Sequence, residues 1–182
     1  MPLKTFVKVG SITNLSDARY CAGMMVDMLG FRSVEGQESY IKPAQFQEIR
    51  GWISGPLVVA EVYGLSNANE LTTILENYKP DYVEMGLREL SLFTSLSVPL
   101  VLSVQEGDPI ENLPVQPAYL LSKRPFKTSG TLLVEVQSKA ELATLLDNPH
   151  IKGIALKGGH ELRPGLKEFE DMNDVLEALE ED

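Results

Sequence analysis

The spacing of its short apolar runs constrains the fold of this chain more than any other feature. Runs rich in Val, Leu and Ile recur from end to end, at Thr5–Val9, Asp27–Phe31, Leu57–Tyr63, Asp81–Met85, Leu100–Val104, Ala118–Leu121, Leu132–Val136 and Gly153–Lys157. They are too short for helices, and stretches such as Pro56-Leu57-Val58-Val59-Ala60 are continuously apolar, the pattern of strands buried on both faces. Strands of that kind pair in parallel and need crossovers, and helix starts stand between them. Ser16 precedes Asp17-Ala18-Arg19, Pro43 precedes Ala44–Ile49, Asn67 precedes Ala68–Leu75 and Ser138 precedes Lys139–Leu146, each ahead of an apolar stripe. The alternation specifies an α/β architecture. Between 106 and 117, prolines at 109, 114 and 117 leave room for little more than one helical turn, so at least one outer helix is expected to be reduced.

Composition narrows the function. With 182 residues and no linker-like break, a single domain over 1–182 is expected. No apolar run approaches the roughly 20 residues of a membrane span. A net charge of −10 without a basic stripe argues against nucleic acid as a partner. Many of the acids fall in the tail Glu168–Asp182 and read as a solvated helix face. The lone Cys21 excludes an internal disulfide, and beside Ala18, Ala22 and Met25 it reads as a buried structural thiol. The start Met1-Pro2-Leu3-Lys4 has no secretory h-region, so a cytoplasmic location is expected. His150 and His160 do not have the spacing of a metal-ligand set, no cofactor is expected, and Trp52 and the six Met read as packing groups.

Both ends of the chain carry recognisable motifs. Val7-Lys8-Val9-Gly10-Ser11-Ile12-Thr13-Asn14-Leu15-Ser16-Asp17-Ala18 resembles, without a gap, the V-K-I-C-G-I-T-N-x-x-D-A that opens phosphoribosylanthranilate isomerases. Asp27-Met28-Leu29-Gly30-Phe31 is similar to that family's A-D-A-L-G-F, and Tyr40-Ile41-Lys42-Pro43 to its R-Y-V-S-P. Gly153-Ile154-Ala155-Leu156-Lys157-Gly158-Gly159-His160-Glu161, then Arg163-Pro164-Gly165-Leu166-Lys167, is similar to G-V-D-V-S-S-G-V-E and S-P-G-V-K-D. The resemblance implies a (βα)8 or TIM barrel. Such barrels usually take about 250 residues, so this one must be shortened.

The resemblance also implies an Amadori rearrangement of an aminoaldose to an aminoketose, which needs a base to take a proton from a sugar carbon and an acid to open the ring. The family uses one Cys and one Asp. The Cys position matches Gly10, which cannot accept a proton, and the Asp of the sixth strand's L-L-D matches Ser122, a poor general acid. The Gly-rich stretch after that strand is replaced by 123–130. The Arg that meets the anthranilate carboxylate falls at Ser39, Q-L-H-G falls at Glu84-Met85-Gly86-Leu87, and Glu135-Val136-Gln137 stands where a Gly-Gly approaches phosphate. A phosphoribosylanthranilate isomerase-like protein that does not carry out that rearrangement is therefore expected.

Other groups gather at the strand ends. Lys8 shares the inward face of Gly10, and Glu61, Glu84, Glu135 and Lys157 are further charged residues near the mouth of the barrel. They read either as a structural ion-pair network or as a site. Lys157, Gly158 and Gly159 either present N–H groups and charge to an anion or form only a tight turn. The expected partner is a small-molecule anion or sugar phosphate. An isomerase with a substituted base and a non-catalytic interaction barrel are the competing functions, and the oligomeric state stays open.

Overall fold

The computed structural model describes residues 2–158, 161–163, 166–167 and 169–180. Eight parallel strands, β1 (Phe6–Gly10), β2 (Met28–Arg32), β3 (Leu57–Glu61), β4 (Tyr82–Gly86), β5 (Leu100–Ser103), β6 (Tyr119–Ser122), β7 (Leu132–Glu135) and β8 (Ile151–Lys157), close into a barrel in sequence order. The closing pair, β1 with β8, runs in register from Phe6 opposite Gly153 to Gly10 opposite Lys157. Every run read as a strand is one, with boundaries within two residues of those expected. This is the shortened (βα)8 barrel that the motifs imply.

The outer ring is incomplete. Helices α1 (Leu15–Gly23), α2 (Pro43–Arg50), α3 (Ala68–Tyr78), the one-turn α4 (Leu87–Leu90), α5 (Lys139–Leu146) and α6 (Phe169–Leu179) follow β1, β2, β3, β4, β7 and β8. A short antiparallel pair, β9 (Glu161–Arg163) with β10 (Leu166–Lys167), stands between β8 and α6. The helices after β5 and after β6 are both missing, one more than the proline-rich 106–117 segment announces. Their place is taken by non-helical chain whose Ile110, Leu113, Val115 and Phe126 pack on the core. Asn67 caps α3 as read, accepting from the amides of Asn69 and Glu70. The cap of α1 is Asn14 rather than Ser16, because its extended backbone lets the side chain accept from Asp17 N at 2.9 Å and donate to Asp17 Oδ2 at 2.7 Å.

Strand alternation divides the interior. Val7, Val9, Leu29, Phe31, Val58, Ala60 and Val83 point outward into the core beneath the helices. The opposite parity faces the barrel axis. There Val101, Leu121, Leu133 and Ala155 form an apolar floor with Phe6, Tyr82 and Tyr119, the Phe6 and Tyr119 rings stacked at 5.1 Å. The polar residues of the same parity lie above that floor, at the C-terminal mouth.

Two packing assignments need correction. Trp52 is 70% exposed and Met25 54% exposed; both lie in the turns that lead into β3 and β2, at the end of the barrel away from the mouth. Cys21 is buried as read, and burial, with Asp17 nearby, pushes its thiol up to about 12. Among the described residues no helix is long and apolar enough to cross a membrane, and no group of three or more His, Cys, Asp or Glu is arranged to hold a metal. His160 lies outside the described residues.

The loops at the mouth are tied by one buried acid. Glu89 on α4 accepts from Gly64 N and from Gly86 N, each at 3.1 Å, and so joins the turn after β3 to the end of β4. Replacing it with Ala orphans two part-buried amides, at about 1–3 kcal/mol for each donor left unsatisfied. Glu89→Ala is therefore expected to lower the urea midpoint clearly, and Glu89→Gln, which keeps one acceptor, to lower it less. Equal midpoints for all three proteins would show that Glu89 does not hold these loops.

Candidate functional site

The site grows out of strand register. Arg32 on β2 stands opposite Glu61 on β3, and Glu61 stands opposite Glu84 on β4. Two carboxylates side by side on neighbouring strands repel one another unless a cation stands between them. Lys8, reaching up from β1, supplies it: its Nζ lies 2.6 Å from Glu84 Oε2 and 3.7 Å from Glu61 Oε1. All three side chains are nearly inaccessible to water, at 2% to 4%.

Glu61 is gripped from three sides. Beyond Lys8, Arg32 Nε lies 3.1 Å from its Oε2, and the amide of Ser11 donates to its Oε1 at 2.7 Å. Ser11 turns this amide inward by adopting a left-handed backbone, φ 54°, directly after β1. Arg32 also donates to Ser11 Oγ at 3.3 Å and lies over the Tyr63 ring at 4.6 Å. Tyr63 completes the circuit by donating to Glu84 Oε1 at 2.7 Å.

Two glycines make room for this carboxylate. A Cβ on Gly10 would stand 2.8 Å from Glu61 Oε1 and 3.0 Å from Lys8 Nζ. On Gly30 it would stand 2.0 Å from Glu61 Oε1 and 2.8 Å from its Cδ. Both contacts are closer than carbon can approach, so any side chain at position 10 competes with Glu61 for the same space.

Burial and pairing set the ionisation of the cluster. Burial pushes the Lys8 ammonium down, but Glu84, Glu61, the hydrogen bond to Glu84 and the more distant Glu135 outweigh it and leave its pKa above the ordinary 10.5. Lys8 is thus a fixed cation rather than a nucleophilic amine. Burial raises Glu84 above the ordinary 4.5, and nearby Glu61 adds to this; Lys8 and the Tyr63 hydrogen bond counter it only in part. Burial and the proximity of Glu84 lift the Tyr63 hydroxyl well above 10.0, so it serves as a donor.

Above the network lies a chamber of about 170 Å3, with Lys8, Gly10, Arg32, Glu61, Tyr63 and Glu84 among its walls and Lys123, Glu135 and Lys157 beside them. A second cavity, about 590 Å3, opens beside it between the ends of β5, β6 and β7 and shares Ser103, Lys123 and Glu135. Ser122 lines the second cavity and is not among the residues lining the first. It shares parity with Leu120, which packs in the outer core, and its Oγ accepts from Arg124 N at 3.3 Å. Leu121 faces inward, so the next position of that parity is Lys123. The N–H of Gly158 is given to Gly10 O at 2.7 Å and is not available to an anion, which favours the turn reading; Gly159 lies outside the described residues. Arg32, Tyr63 and Ser11 are the participants that the sequence reading passed over.

Breaking this cluster at one charge has a different cost from removing a pair. Lys8→Met leaves Glu61 and Glu84 face to face and is expected to cost about 3–5 kcal/mol, whereas Lys8→Met with Glu84→Leu should recover most of that loss. The folded protein holds the Lys8 proton more tightly than the unfolded chain, so this contribution is present below pH 10.5 and lost as pH rises above it. Urea unfolding across that range should show a steeper alkaline loss in the wild type than in the double variant. Equal destabilisation by the single and double variants would contradict the pairing described.

No protein-family model and no curated protein matches the sequence. Solved structures do. The chain is similar to TrpF from Jonesia denitrificans at 14% identity, covering 96% of this chain and 96% of that one, with a TM-score of 0.74. It is similar to phosphoribosyl anthranilate isomerase from Thermus thermophilus at 18% identity, over 96% and 98% of the two chains, with a TM-score of 0.70. With phosphoribosyl anthranilate isomerase from Thermotoga maritima it shares 16% identity over 95% and 97%, also at 0.70. The similarity runs along the whole barrel at low identity, and what it establishes is the fold: this chain is a barrel of the phosphoribosylanthranilate isomerase type.

Proposed function

We propose that this chain is a phosphoribosylanthranilate isomerase-like protein that does not carry out the Amadori rearrangement and that keeps a small-molecule site at the barrel mouth. One observation carries the reading. Where the resemblance calls for a Cys side chain on β1, this chain has Gly10, and the space beside it is filled by the Glu61 carboxylate. That carboxylate is committed to Ser11 N, Ser11 Oγ, Arg32 and Lys8, which together engage its four acceptor positions, so it reaches a substrate carbon only by giving one of them up. Ser122, at the position matched to the Asp, offers only a hydroxyl on the wall of the neighbouring cavity.

A second reading, an isomerase with a substituted base, has support in Glu84. Burial raises this acid, the direction a general base needs, and it lines the chamber, although Lys8 holds it at 2.6 Å.

The test is turnover of phosphoribosylanthranilate by the purified chain, followed through loss of anthranilate fluorescence. The expected result is none above the uncatalysed rate, against the roughly 1–1,000 s−1 of ordinary enzymes. Gly10→Cys with Ser122→Asp is expected to stay silent while Glu61 occupies the space, and Glu61→Ala is the added change that opens room for the thiol. Wild-type turnover at ordinary rates would overturn the proposal, and its abolition by Glu84→Gln would then establish the second reading.

A further inference from the structure

We propose that the chamber at the barrel mouth binds a small carboxylate, a two- to four-carbon acid with a hydroxyl or oxo group beside the carboxyl, with Lys123 as its principal cation. The inference rests on the mouth being a small-molecule site and names the ligand class of that site.

Charge is the first argument. Among the described residues, the chamber is lined by four cations, Lys8, Arg32, Lys123 and Lys157, and three carboxylates, Glu61, Glu84 and Glu135. Lys8 is taken up by Glu84 and Arg32 by Glu61. Lys123 and Lys157 have no ion-pair partner among the described residues and face the single carboxylate Glu135. The described part of the wall therefore carries one positive charge in excess, which a monoanion balances. A phosphate carries about −1.5 to −2 at neutral pH and would meet Glu135 with its surplus charge. The amide of Gly158, which could have helped a phosphate, is bonded to Gly10 O.

Size is the second. A chamber of about 170 Å3 has the volume of about five or six water molecules and lies below the roughly 300–1,000 Å3 of sites for larger ligands. By itself it matches the size of a small acid. Polar partners for the second oxygen are at hand, since Ser103 and Glu135 line the same space. Because Lys123 is exposed and also borders the open 590 Å3 cavity, it stands where a ligand enters from solvent.

The experiment is isothermal titration calorimetry of the full chain at neutral pH and low salt with glycolate, pyruvate and L-lactate. Inorganic phosphate and the neutral amide glycolamide are titrated alongside. At least one acid is expected to bind about tenfold more tightly than phosphate or glycolamide. Lys123→Met should weaken it about tenfold, and Glu135→Gln should tighten it, because a like charge leaves the wall. Both variants alter partly or fully accessible side chains, and opposite effects on affinity are not what loss of folding produces. No binding of any acid up to about 20 mM, a Kd that would mean almost no recognition, would overturn the proposal. So would equal binding of phosphate or glycolamide, or affinity indifferent to Lys123→Met. Phosphoribosylanthranilate turnover is a separate readout, so failure of the non-catalytic reading and failure of this one are distinguishable.

Discussion

The carboxylate of Glu61, withdrawn from water at the top of the barrel, sets the terms for everything around it. An ion of that size loses several kcal/mol of hydration when buried, and only good geometry with further hydrogen bonds offsets the loss. Ser11 N, Arg32 and Lys8 provide that geometry. Each of them then creates a need of its own. Lys8, itself buried, requires Glu84; Glu84 accepts from Tyr63; and the Tyr63 ring lies beneath the Arg32 guanidinium. The circuit closes on itself across β1, β2, β3 and β4. It exists because Gly10 and Gly30 leave the volume into which the carboxylate fits.

That arrangement links architecture to function. The floor of the barrel is apolar and packed by Val101, Leu121, Leu133, Ala155 and aromatic rings, so the charged layer has no route to water except upward. On the β1 to β4 side, ion pairs and hydrogen bonds close the mouth. On the β5 to β7 side, where two outer helices are replaced by non-helical chain, the surface opens into the larger cavity, and Lys123 and Glu135 form the border. Fixed, mutually neutralised charges thus stand on one side of the mouth, and an exposed Lys123 with a half-buried Glu135 on the other. Gly10 and Ser122 stand at the two positions that the resemblance matches to the family's Cys and Asp.

The fold was largely legible in the sequence, because continuous apolar runs in parallel strands leave a signal that no nearby residue blurs. Pro43 and Asn67 announced their helices for equally local reasons. The helix lost after β6 is announced by length rather than by prolines, since the ten residues between Leu121 and Leu132 are too few for a helix with its two connections, whereas three prolines mark the loss after β5. At the site, parity on the strands brought Lys8, Glu61 and Glu84 to notice. The same rule, applied to β2, would have added Arg32, which follows Met28 and Gly30 on the inward face, and counting from Leu121 would have pointed to Lys123 rather than Ser122. What parity cannot reveal is the dependence of Glu61 on Gly10 and Gly30, because it is a matter of volume between three strands. The exposure of Trp52 was equally hidden, since a large apolar residue in a turn reads as packing until its surroundings are known.

The central claim is that the two glycines exist, in physical terms, to seat Glu61. A double-mutant cycle on stability tests it most directly, with Gly30→Ala measured in the wild type and again in a Glu61→Ala background. The account predicts a coupling of about 1–3 kcal/mol, with Gly30→Ala costly beside Glu61 and far better tolerated once that carboxylate is gone. The same cost in both backgrounds would mean that Gly30 answers to the backbone of β1 alone, and the dependence of the barrel mouth on Glu61 would be wrong.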